Sequence, residues 1–221
     1  MSPDTIVIDS SARVPDADIW FVLPAGFIAL PLRELVQSRQ GLGEEGDKLN
    51  AVSALVDSSH SSEERRQILA LLAPVQRMLR LLSHGGVVHC SMGLHRDDEG
   101  DGGVLPSLFT LGWRETSWAP RGVTVSRLAA GTPDARFVEV LDLPCGPASL
   151  NETLVNHQVV GTAQELLQVT VHIPYPEATK LAILSLSATA THRADHYRNL
   201  LREVARMVTF EDPLTANREG V

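Results

Sequence analysis

The strongest constraint on the fold is a series of strand-like segments between Val87 and Ala188. Several of them alternate apolar and polar residues with a period of two, most cleanly in Leu167–Ile173. The connections between them are short and rich in turn residues, which favours antiparallel pairing of successive strands. We therefore predict an antiparallel sheet, whose strands are Val87–His95, Leu108–Glu115, Val123–Ala130, Arg136–Leu143, His157–Gly161, Glu165–Ile173 and Lys180–Ala188.

Two segments outside this series have the periodicity of an amphipathic helix. Ser61–Ser83 opens with a capping-box pattern and repeats apolar residues every three or four positions, with a kink or break expected at Pro74. Thr191–Phe210 is the second helix, and Thr191 is its expected N-cap. Its predicted apolar face consists of Tyr197, Leu200, Leu201, Val204, Met207 and Val208.

The N-terminal part of the chain predicts shorter elements. Ile19–Leu23 and Phe27–Leu32 flank the turn signal at residues 24–26, and this pattern is typical of a β-hairpin. Three further elements are predicted before the first long helix: a strand at Thr5–Ile8, a loop at Gly41–Asp47 and a short helix at Lys48–Val56.

This order of elements predicts an α+β fold. An antiparallel β-sheet would pack against a long helix from the N-terminal half and a C-terminal helix, in an α/β/α sandwich-like arrangement. No repeat, low-complexity segment or linker divides the chain, so residues 1–221 are predicted to form a single domain with a frayed tail at 215–221.

Composition narrows the range of partners and locations. The net charge of −8 provides no positive stripe for a phosphate backbone, so we expect no nucleic acid partner. The longest apolar run, Ile19–Leu32, is interrupted by two prolines and a glycine, so we expect no membrane span. The first residues lack the pattern of a signal peptide, which indicates a cytoplasmic protein. Arginine-rich, lysine-poor usage is typical of a GC-rich bacterial genome.

One short segment has the pattern of a catalytic loop. Val88–Arg96 contains His-Cys-x5-Arg and resembles the phosphate-binding loop of cysteine-dependent protein tyrosine phosphatases. The resemblance implies that Cys90 is a thiolate nucleophile and that Arg96 holds the phosphate oxygens as a bidentate fork. Four carboxylates follow instead of the Ser or Thr and helix that the family places there: Asp97, Asp98, Glu99 and Asp101. These charges would repel phosphate and raise the pKa of the thiol.

Metal ligation is a further alternative that uses histidines. His89 and His95 would lie on one face of a strand, and Cys90 and Met92 on the other, so one strand cannot present all four to one ion. The acidic residues 97–101 lack the closing glutamate of a calcium loop. His192 and His196 have i, i+4 spacing, yet no H-E-x-x-H pattern surrounds them. We therefore assign no catalytic, cofactor-binding or metal-ligating residue and predict no cofactor.

The C-terminal pattern is similar to a known fold group. A strand at Lys180–Ala188, a polar break, an amphipathic helix and a closing Val208–Phe210 resemble the PsbP/DcrB/LpqN-like family. The resemblance implies an antiparallel sheet between helices and a non-enzymatic role in binding protein partners. We therefore predict an accessory protein that binds another protein, of a kind that the sequence does not name. A homodimer through an edge strand is compatible with this prediction.

Overall fold

The structure is a computed structural model that describes residues 19–30, 32, 85–96, 104–132, 134–159 and 162–211. The chain divides into two compact units, residues 1–30 with 88–221 and residues 31–87. The architecture below is that of the first unit, and the single domain stays a prediction. The elements predicted at Thr5–Ile8, Gly41–Asp47, Lys48–Val56, Ser61–Ser83 and 215–221 lie outside the described residues.

Seven strands form one antiparallel sheet in the order β1-β2-β3-β7-β6-β5-β4. Two α-helices accompany this sheet in the described part of the chain, so the predicted α+β class is confirmed. The strands are β1 Phe27–Ala29, β2 Val87–Arg96, β3 Val104–Glu115, β4 Phe137–Leu143, β5 Gly146–Val159, β6 Thr162–Pro174 and β7 Lys180–Ala188.

The first helix, α1, spans Arg121–Ala130, where a strand over Val123–Ala130 was predicted, so that prediction is wrong. The N–H groups of Val123 and Thr124 both donate to the Pro120 carbonyl, at 2.9 and 3.0 Å, which opens the helix. Thr124 and Val125 are then buried against the sheet. β-Branched residues cost only a few tenths of a kcal/mol in a helix, so this packing overrides their strand propensity.

The second helix, α2, spans Ala194–Arg206 and follows a 3₁₀ turn at Thr191–Arg193. It confirms a C-terminal helix that begins and ends a few residues inside the predicted range. Thr191 is not an N-cap, because the flanking position is Ala190 and makes no side-chain cap. Met207 does not belong to the predicted apolar face of the helix. It follows the last helical residue, Arg206, and is 56% exposed.

The hairpin predicted around residues 24–26 does not form. Trp20 instead forms an antiparallel bridge with Thr209, with backbone hydrogen bonds of 2.8 and 2.9 Å in the two directions. β1 pairs with β2, where Phe27 lies opposite Gly93. The turn itself is present, and Gly26 adopts the positive φ of 97° that a side chain would resist. The two arms therefore leave the turn toward different partners.

The sheet carries one helix on each face. Asn151 of β5 donates from Nδ2 to Thr132 Oγ1, directly after α1, at 2.8 Å. Its neighbour Glu152 forms an ion pair with Arg198 of α2. Successive strand residues point to opposite faces, so α1 and α2 lie on opposite sides of β5. None of the described helices is long and apolar enough to cross a membrane.

The face beneath α2 is called the apolar face here and contains the main core. Along β6 and β7 its residues alternate as the sequence predicted, and each is at most 2% exposed. Tyr197, Leu201 and Val204 of α2 cover it and are equally buried. The apolar face includes Phe109, Leu111, Ala148, Leu150, Leu167, Val169, Val171, Ile173, Ala182, Leu184, Leu186 and Ala188.

Candidate functional site

The residues of the phosphatase resemblance lie in an extended strand. β2 runs from Val87 to Arg96 without a break, so a strand at this position is confirmed. Six residues of extended chain span about 20 Å. The backbones of Cys90 and Arg96 are therefore too far apart to surround one phosphate group. In cysteine-dependent protein tyrosine phosphatases the corresponding segment is a loop that curves around the phosphate.

Cys90 is also chemically unsuited to act as a nucleophile. Its residue is 0% exposed, and this burial raises the pKa of the Cys90 thiol to about 12. The thiol therefore stays protonated at neutral pH, whereas a catalytic cysteine needs a lowered pKa and access to substrate. The arrangement is that of an apolar packing residue.

The histidine beside Cys90 belongs to the other face of β2. His89 Nε2 lies 2.6 Å from Ser91 Oγ, and both residues are buried. Its ring also packs against Phe21 and Phe109, with centroid distances of 5.1 and 6.0 Å. Strand alternation thus separates His89 from Cys90, as predicted. Within the described residues no group of three or more His, Cys, Asp or Glu side chains could hold a metal ion.

One end of the sheet is formed by the outer edge of β4. Among the described strands β4 has one neighbour, β5, and it ends the sheet. Val138 and Val140 are 40% and 60% exposed on the face that carries α1. β4 contains neither lysine nor proline, two of the residues with which proteins protect an edge, and its charged residues are Glu139 and Asp142. Among the described residues it is therefore an open edge with apolar side chains beside it.

The turn after β4 determines which backbone groups face outward. Leu143 lies opposite Gly146 across a two-residue turn, and such turns close with a hydrogen-bonded pair. Counting back along β4 from Leu143, every second residue therefore forms its backbone hydrogen bonds with β5. The residues between them direct N–H and C=O away from the sheet, and these are Val138, Val140 and Asp142.

Side chains from α2 hold the inner face of β4. Arg202 Nη2 lies 2.5 Å from Glu139 Oε2, and the Arg198 guanidinium lies 4.5 Å from the centroid of the Phe137 ring. Arg198 also pairs with the buried Glu152 of the neighbouring strand. Charge-assisted bonds to partly buried groups hold side chains more firmly than solvated ones do. These contacts from α2 therefore hold β4 in place at the edge of the sheet.

An arginine of α1 secures the turn at the end of β4. Arg121 donates from Nη2 to the Cys145 carbonyl at 2.5 Å and from Nε to the Pro174 carbonyl at 3.1 Å. Its guanidinium occupies the space beside Gly146, where an added Cβ would lie 2.4 Å from Nη2. Gly146 also has φ of 120°, which disfavours any other residue. One side chain thus ties α1 to the turn and to the end of β6.

A group of buried polar residues, called the polar patch here, lies on the α1 side of the sheet. It consists of Ser149, Asn151, Thr170, His172 and Ser185, which the register places next to one another. Thr170 and Ser185 bond to each other at 3.1 Å. Three buried atoms have no hydrogen-bond partner, and they are Ser149 Oγ, Asn151 Oδ1 and His172 Nδ1. Burial, with the charge of Arg114, lowers the pKa of His172 to about 4.

No family model, curated protein or solved structure matches this chain. The candidate site therefore depends on its own geometry. Sequence reasoning predicted the strand at β4 but not its place at the edge. The alternation of Phe137–Leu143 specifies two faces and says nothing about the number of neighbours.

Proposed function

We propose that the protein is a non-enzymatic cytoplasmic accessory protein that acts by binding a protein segment along the open edge of β4. The observation that carries this proposal is a strand of seven residues that pairs on one side only within the described part of the chain, with Val138 and Val140 exposed beside its outer edge. An extended segment that adds to such an edge gains main-chain hydrogen bonds, and its alternate side chains contact those of the edge. Because α2 and Arg121 already fix β4, little ordering of the strand opposes binding.

The fold resemblance agrees with this proposal. A helix on each face of the antiparallel sheet is compatible with an α/β/α sandwich-like arrangement like that of the PsbP/DcrB/LpqN-like family, but one of the two helices is the short α1 and not the long N-terminal-half helix that was predicted. That family acts through protein partners and not through catalysis. A function drawn from such a likeness is an analogy. The support that is specific to this chain is the exposed edge of β4.

The proposal is tested by capture of partners with a tagged protein and two matched variants. Val140→Lys places a charge on the edge, whereas Val123→Lys places the same charge on α1 at a site 42% exposed. We expect a bound protein to be lost with Val140→Lys and kept with Val123→Lys. Equal recovery of that protein by both variants would show that the edge does not bind it.

A cysteine-dependent phosphatase is the alternative function, with Cys90 as nucleophile and Arg96 as phosphate ligand. The burial of Cys90 and the extended form of β2 favour the binding function over it. We expect no turnover of an aryl phosphate by the purified protein or by Cys90→Ser. Turnover by the natural protein that disappears in Cys90→Ser would establish the phosphatase instead.

Metal binding through histidines is the second alternative. Elemental analysis of the purified protein is expected to find no metal ion at one equivalent per chain. A stoichiometric metal that is lost when His192 and His196 are replaced by alanine would support this alternative against the proposed one.

A further inference from the structure

The edge of β4 is complementary to itself. We infer that its occupant is β4 of a second copy, paired antiparallel about a two-fold axis at Val140, so that two sheets join into one. This inference rests on the proposed function, because it names the partner for the same edge. Three independent properties of β4 support it: the register, the charges and the direction of the backbone groups.

The register is limited by the pleat. Residues directly opposite one another in an antiparallel pair point to the same face, so a two-fold axis must pass through a residue position. An axis at Val140 is the one that pairs all seven residues of the strand, Phe137 with Leu143 at each end. An axis at Leu141 would place Val138 opposite Pro144, which has no N–H to donate.

The charges favour the same register. With the axis at Val140, Glu139 lies opposite Leu141 and Val138 lies opposite Asp142. No like charges are then directly opposed. An axis at Glu139 would instead place two glutamates against each other, and like charges directly opposite destabilise a strand pair. The charge pattern therefore excludes an axis at Glu139, as Pro144 disfavours the axis at Leu141.

The backbone meets the requirement for hydrogen bonding. Val138, Val140 and Asp142 direct their N–H and C=O groups away from β5. The axis at Val140 places Val140 opposite itself and Val138 opposite Asp142, so each outward donor meets an outward acceptor. All outward groups between Val138 and Asp142 would be satisfied without any change in the fold.

The side chains complete the fit. Val140 of the two copies would meet on the α1 side, flanked at each end by Val138 of one copy opposite Asp142 of the other. The exposed fractions of 40% for Val138 and 60% for Val140 would fall. On the other side Glu139 keeps its bond to Arg202. A single strand pair buries less surface than a standard protein interface, so we expect a weak, concentration-dependent dimer.

Sedimentation equilibrium of the full chain tests the inference. We expect a monomer–dimer equilibrium for the natural protein. Val140→Lys and Val140→Glu should each associate at least about tenfold more weakly, because each places like charges face to face. An equimolar mixture of the two variants should recover association, because lysine at 140 would lie opposite glutamate at 140. Only a register centred on Val140 predicts this recovery.

The control is Val123→Lys, which should associate like the natural protein. A natural protein that remains monomeric at about 0.5 mM, or a mixture that associates no better than its components, would overturn the inference. The proposed function is tested separately from the dimer. A monomer that captures another protein, and loses it in Val140→Lys, keeps the edge as a binding site. A monomer with capture unaffected by Val140→Lys rejects both.

Discussion

The two faces of the sheet solve the same packing problem with different chemistry. The apolar face is covered by α2, with charged pairs such as Glu152–Arg198 and Glu139–Arg202 at the β4–β5 end. The α1 face buries the polar patch and leaves three of its polar atoms without partners. The same strands therefore bury mainly apolar side chains on one face and a group of polar side chains on the other.

The contrast also separates how the two helices are held. α2 contributes apolar side chains that are 2% exposed or less, and burial of apolar area dominates folding free energy. α1 buries Thr124 and Val125 and is also joined to the sheet by directed bonds, from Arg121 to two carbonyl groups and from Asn151 to Thr132. A net protein hydrogen bond contributes only about 1 kcal/mol. We therefore expect mutations on the two faces to differ in size and sign.

The largest effect is expected on the apolar face. Leu184 is 0% exposed at the centre of β7, so Leu184→Ala should lower the free energy of unfolding by about 3 kcal/mol through lost burial and a cavity. Its neighbour Ile183 points to the α1 face and is partly exposed. Ile183→Ala should cost clearly less in the same denaturant titration. Equal costs would break the comparison.

An effect of comparable size at low pH is expected through His172. Its pKa falls from 6.5 to about 4 on folding, so the unfolded chain binds more protons between these values. Stability from neutral His172 is complete above pH 6.5 and is lost as pH falls toward 4. The loss amounts to about 3 kcal/mol at the limit.

The measurement is the free energy of unfolding between pH 4 and 7 for the natural protein and for His172→Gln. The variant should show a shallower decline, because other groups titrate equally in both proteins. Parallel curves would mean that the pKa of His172 does not change on folding, so that the α1 face accepts its charge as readily as water does.

The smallest change in the free energy of unfolding is expected at Ser149, whose hydroxyl has no hydrogen-bond partner. Ser149→Ala removes a buried donor that has no partner, so stability should stay unchanged or rise by up to about 1 kcal/mol. Ser185→Ala is the matched control, since Ser185 bonds to Thr170. That variant should lose about 1 kcal/mol. A clear loss with Ser149→Ala would show that an ordered water satisfies this hydroxyl.

The same contrast explains which strands the sequence predicts. β6 and β7 alternate on the apolar face, and their positions and facing residues follow from that pattern alone. Most of β5 escapes prediction because Ser149, Asn151 and Glu152 are polar yet buried, and only His157–Gly161 is recognised near its end. A strand that buries polar residues lacks the signal on which periodicity depends.

The remaining errors arise from partners distant in the chain. Val123–Ala130 has strand propensity, but its helix is selected by packing on β5. The arms of the predicted hairpin pair with β2 and with Thr209 instead of each other. The candidate site follows the same rule. Whether β4 is an edge depends on the strand order, and no local pattern in Phe137–Leu143 encodes it.

The contact between Arg121 and Gly146 has an evolutionary consequence. The guanidinium fills the volume that a side chain at 146 would need, and the backbone there disfavours any residue except glycine. A substitution at 146 would require the guanidinium to move aside and the turn to change its conformation. The two positions are separated by 25 residues in the chain, yet in any set of descendants they should vary together, and this correlation would mark the α1–turn contact without a structure.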